Sequence, residues 1–61
     1  MSPFKMMMRQ LLHHAQDGLM LQKMDAIIEN CYKDGRISHE EKVALNKTYA
    51  IFMDEWRVTQ K

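Results

Sequence analysis

A chain of 61 residues and 7.3 kDa holds at most one domain, and folding at this length removes only about 60% of the unfolded chain's surface from water. A single cysteine, Cys31, excludes an intrachain disulfide or a multi-thiolate metal site as a source of stability, which leaves close helix packing, a partner or self-association. Nine Lys or Arg against eight Asp or Glu leave a formal charge of +1, too close to balance for the molecule as a whole to attract nucleic acid.

No apolar run approaches the roughly 18 residues that span a bilayer. Nor does an apolar stretch of about 7 to 15 residues follow the first basic residue, as in a secretory signal. The expected setting is the cytoplasm. Two glycines, one proline and seven methionines point away from a sheet, whose strands favour β-branched and aromatic residues between regular turn signals.

The first predicted element is a helical segment over residues 3–16. Ser2 and Pro3 form an N-cap and N1 pair, since proline's fixed φ suits the first turn and its missing N–H costs nothing there. Phe4, Met7, Met8, Leu11 and Ala15 then recur at three- and four-residue steps, placing Lys5, Arg9, Gln10 and His13 elsewhere on the helix.

At Asp17 and Gly18 this stripe fails, and a new one begins with Leu21, Met24, Ile28 and Cys31, broadened by Met20 and Ile27. A kink or break is expected at Gly18, because an unbroken helix over residues 3–33 would be about 46 Å long, more than the next helix can cover. Residues 3–16 are therefore expected to fold apart from the rest or to project towards another subunit. A second helix is predicted over residues 19–33.

The sharpest local signal is Lys33-Asp34-Gly35-Arg36-Ile37-Ser38-His39-Glu40-Glu41. Lys33 complements the helix dipole, Gly35 can take the left-handed C′ conformation, and Ser38 with Glu41 three residues on forms a capping box. The predicted third helix covers residues 38–59. Leu45, Tyr49, Phe52 and Trp56 line it at helical spacing, and Arg57 and Lys61 stand near its end. The hairpin core is expected from Ile27, Cys31, Ile37, Leu45, Tyr49, Phe52 and Trp56. Phe4, Met7, Met8, Leu11, Ala15, Leu21, Met24 and Ile28 are expected to form an interface with other copies or a partner.

Candidate chemistry is sparse. Asp34, Gly35, Ile37 and Glu41 match the fifth, sixth, eighth and twelfth positions of a calcium-binding loop, but the first and third would be Asn30 and Tyr32, so two anionic ligands are missing. The residues fit a capped turn better. Adjacent His13 and His14 point about 100° apart on a helix and cannot chelate one ion together, although copies of His14 could meet at a symmetry axis. Cys31 lies within an apolar stripe, which fits a small core side chain better than a nucleophile. The carboxylate pairs Glu40-Glu41 and Asp54-Glu55 are neighbours facing different directions, and no glycine-rich phosphate loop is present. No catalytic residue, metal site or cofactor is therefore assigned, and no enzymatic activity is expected.

Residues 1–16 contain no acid and carry Lys5, Arg9, His13 and His14 beside Met6, Met7 and Met8. Three consecutive methionines cover nearly 300° of a helix, so at least one faces outward unless both sides are covered. Such a surface suits packing against another subunit, binding a peptide segment, or contact with a membrane surface. A helix-turn-helix DNA reader is disfavoured because the third helix opens with His39, Glu40 and Glu41, where phosphates would lie. A nucleic-acid-associated regulator using Lys5, Arg9, Lys23 and Arg36 with a basic N-terminal arm is the alternative from another class.

The stretch Cys31-Tyr32-Lys33-Asp34-Gly35-Arg36-Ile37-Ser38-His39-Glu40-Glu41, followed by Leu45 and an aromatic-rich helix, resembles small helical-hairpin proteins of tailed-phage (siphophage) structural and late gene clusters. The resemblance covers about half the chain and excludes the Met-rich N-terminus. It implies a small homo-oligomer, a ring among its forms, made in the host cytoplasm and acting in virion assembly as a structural piece or as a chaperone for apolar segments. The combined expectation is an all-α helical hairpin with an additional N-terminal helical segment, assembled as a homo-oligomer and working through protein–protein interaction.

Overall fold

Ser2 begins the first helix by accepting a hydrogen bond from the Lys5 N–H (3.2 Å), with Pro3 at the first helical position. The computed structural model describes residues 2–59 and contains three helices among them: α1 (Pro3–His13), α2 (Gly18–Lys33) and α3 (His39–Thr59). Lys61 lies outside the described residues.

Helix α1 ends at His13, short of the expected Gln16, because the chain must open before its next cap. Asp17 adopts an extended conformation (φ −119°, ψ 93°) and its side chain accepts from the Met20 N–H at 3.3 Å. A residue cannot cap α2 in this way and also continue α1. The interruption at Asp17 and Gly18 is thus a true break, bridged by a turn in which the Asp17 N–H donates to the His14 carbonyl (2.9 Å). Helix α2 starts at Gly18.

The other end of α2 closes with a Schellman motif. Gly35 has φ +75°, its N–H donates to the Tyr32 carbonyl (3.1 Å), and the Arg36 N–H reaches the Cys31 carbonyl (2.9 Å). Ser38 and Glu41 then exchange reciprocal bonds: the Ser38 N–H donates to Glu41 Oε1 (2.8 Å) and the Glu41 N–H to Ser38 Oγ (3.1 Å). Chain direction is reversed between two capped helices.

The result is a three-helix bundle, a hairpin of α2 and α3 with α1 folded back along it, measuring 38 × 18 × 15 Å. The hairpin contact is the most extensive, and α1 touches both of its helices. Met7 and Leu11 from α1, Leu21, Met24 and Ile28 from α2, Ile37 from the turn, and Leu45 and Met53 from α3 form one core, each at most 5% exposed. Full burial of each such aliphatic side chain contributes about 1.5–3 kcal/mol.

Five residues that periodicity had assigned to a contact between chains, Met7, Leu11, Leu21, Met24 and Ile28, are therefore enclosed by the chain's own helices. The break at Asp17 makes this possible, since it lets the stripe of α1 turn onto those of α2 and α3. Phe4 and Met8 pack at the margin of the core, and Ala15 is half-buried in the α1–α2 turn. Of the residues assigned to the hairpin core, Ile37 and Leu45 are buried, while Cys31, Tyr49, Phe52 and Trp56 pack against it partly exposed. Ile27 is 40% exposed, because it lies on the flank of α2 beyond Met24 and Cys31.

Candidate interaction surface

With Met7 and Leu11 turned inward and Phe4 and Met8 at the margin of the core, α1 presents its opposite face outward. Lys5 and Arg9 are one turn apart at the centre of that face, exposed, with exposed Leu12 at 61% on one side and exposed Met6 and His13 on the other. Two shallow concavities flank Arg9: one is lined by Phe4, Lys5, Met8 and Leu12, the other by Met6, Gln10 and His13. The face is apolar and basic at once.

Helix α3 carries a second outward strip of different character. Ile51 and Val58, two turns apart, are 57% and 67% exposed, and Asp54 and Glu55 lie between them. Asp54, Glu55, Val58 and Thr59 line an open depression. Leu19 and Ile27 add isolated exposure on α2, as scattered apolar side chains do on most protein surfaces.

The polar contacts between helices secure the turn end of the hairpin. Lys42 Nζ lies 2.9 Å from Glu29 Oε1 and 4.4 Å from the centroid of the Tyr32 ring, so one ammonium joins α3 to both an acid and an aromatic face of α2. Tyr32 in turn stands 6.2 Å from the His39 ring at a tilt of 60°. Tyr49 is packed where burial pushes its phenol above the ordinary value, the Asp25 carboxylate adding to the rise and Arg57 opposing it.

These contacts engage several of the residues considered as ligands or nucleophiles. In the half-matching calcium loop, the Glu41 carboxylate that would serve as the twelfth-position ligand accepts from Ser38, and Tyr32 lies beneath Lys42. Among the described residues no group of three or more His, Cys, Asp or Glu side chains is gathered to hold a metal ion. The rings of His13 and His14 meet edge to face, with centroids 4.9 Å apart. Cys31 is a free thiol packed against the core. Among the described residues, no helix is long and apolar enough to cross a membrane.

Two features were missed by periodicity. Met53 is as buried as Ile37, although the sequence places it beside the main row of α3. The acidic and apolar strip from Ile51 to Val58 was readable as exposed residues opposite Leu45 and Tyr49, a signal present in the helical spacing itself. Compared with known protein families, with curated proteins and with solved structures, the chain matches none.

Proposed function

We propose that this chain is a non-enzymatic protein-interaction module that works as a homo-oligomer and docks through the outer face of α1. One observation carries the reading: Met7 and Leu11 satisfy the fold, yet Met6 and Leu12 remain exposed around Lys5 and Arg9 on the same helix. Methionine's flexible, polarizable side chain suits a surface that accepts apolar segments of varied shape. Taken with the resemblance of the hairpin to tailed-phage proteins, the role is a small structural or chaperone-like factor in virion assembly, acting in the host cytoplasm and able to join the virion.

The test is whether the folded protein suppresses aggregation of a thermally unfolding reporter protein, with Met6→Glu/Leu12→Glu as the comparison. Suppression by the wild type that the double variant loses, with helix content unchanged, is the expected result. Equal behaviour of the two proteins removes the α1 face from the account.

A second reading rests on the exposed Lys5 and Arg9 one turn apart, joined by Lys23 and Arg36, which are also exposed. It makes the chain a nucleic-acid-associated regulator. Binding whose log affinity falls with log salt at a slope steeper than about −3 supports it, and absence of binding at low salt removes it.

A further inference from the structure

We infer that the oligomer is built head to tail, the basic and apolar face of α1 in one copy seating on the acidic and apolar strip of α3 in the next. This rests on the homo-oligomer reading above and names its interface.

Two surfaces of the one chain are complementary. The α1 face places Lys5 and Arg9 beside Leu12 within eight residues, and the α3 strip places Asp54 and Glu55 between Ile51 and Val58 over the same span, about 10 Å in each case. All seven side chains are exposed. Residues 1–16 contain no acid, so the α1 face has one sign throughout. On α3, exposed Arg57, three residues after Asp54 and close enough to act on Tyr49, borders the strip on one side, and Lys47 marks its N-terminal edge.

Lys5 and Asp54 do little for the fold that carries them. Lys5 occupies the first turn of α1, where the helix dipole disfavours a cation and no acid offsets it. Among the described residues neither Lys5 nor Asp54 takes part in an ion pair, whereas Lys42 and Glu29 do. Basic against basic would repel, so two α1 faces do not suit each other. A basic face meeting an acidic one joins two different patches, and such a heterologous contact propagates into a ring if the rotation closes and a filament if it does not.

Charge reversal tests this directly. Lys5→Glu leaves α1 capped, because Ser2 followed by Glu three residues later is itself a capping box. Asp54→Lys changes an exposed side chain, and Ile51→Glu supplies a second variant of the same strip. Native mass spectrometry is run on each variant and on an equimolar mixture of Lys5→Glu and Asp54→Lys, with circular dichroism confirming helix content. Each variant alone is expected at single-chain mass, and the mixture is expected to regain the wild-type mass with the two chains in equal amounts. A wild-type assembly that survives both Asp54→Lys and Ile51→Glu overturns the head-to-tail contact while leaving the homo-oligomer in place. A wild type that is itself a monomer removes the homo-oligomer and this inference together.

Discussion

The indole of Trp56, near the end of α3, lies directly against the backbone of Gly18, the first residue of α2. A Cβ placed on Gly18 would overlap Cε2, Cδ2 and Cε3 of the ring. Glycine is needed here for close approach, since its φ is not positive. Sequence alone suggested a helix breaker; the structure makes Gly18 half of a contact between two helix ends.

Gly18→Ala should therefore destabilise the protein by about 1–3 kcal/mol, the usual cost of overpacking, although helix propensity alone would favour alanine by about 1 kcal/mol. Thermal or urea melts give the sign. Trp56→Leu in the same background should recover part of the loss, and a stabilised Gly18→Ala would mean that the ring moves aside at no cost.

Met7→Lys and Leu12→Lys should separate fold from surface. Met7 is 4% exposed, so a lysine there must bury a charge or open the core, and the cost should exceed about 3 kcal/mol. Leu12→Lys should change stability by less than about 0.5 kcal/mol while weakening association. Equal effects of the two substitutions on helix content would contradict the placement of α1.

How much of this was legible in the sequence follows the range of each interaction. The all-α hairpin with an extra N-terminal helix was legible, because Ser2 with Pro3, Gly35, and Ser38 with Glu41 are local signals whose partners lie within a few residues. What covers an apolar stripe is a different question. Periodicity shows that Met7 and Leu11 face one way, but the covering surface could belong to the same chain or another, and only the fold back at Asp17 decides it. The Gly18–Trp56 contact spans most of the chain and leaves no periodic trace.

Ser38→Ala should cost about 1 kcal/mol by removing one half of the capping box and exposing the first turn of α3 to fraying. Calcium should leave the Trp56 emission of the wild type unchanged, because Glu41 already accepts from Ser38. A calcium-dependent gain in melting temperature would show that the loop rearranges into a site.

Tyr49 gives the fold an alkaline dependence. Its folded-state phenol is raised above 10.0, chiefly by burial, so the unfolded chain releases this proton first as pH climbs. Its contribution is fully present below the unfolded value and is lost as pH rises from there through the folded value. Stability measured against pH should fall less steeply above 10.0 in Tyr49→Phe than in the wild type. Identical slopes would place the phenol in water.

The central claim is that one chain closes its own core and keeps the outer face of α1 for association. Sedimentation equilibrium from roughly micromolar to millimolar protein tests both halves, because association must follow mass action while folding within one chain does not. The account predicts helical protein at every concentration and a mass that rises from 7.3 kDa to a discrete multiple of it. A helical species fixed at 7.3 kDa throughout would contradict the assembly, and loss of helix on dilution would contradict the self-contained core.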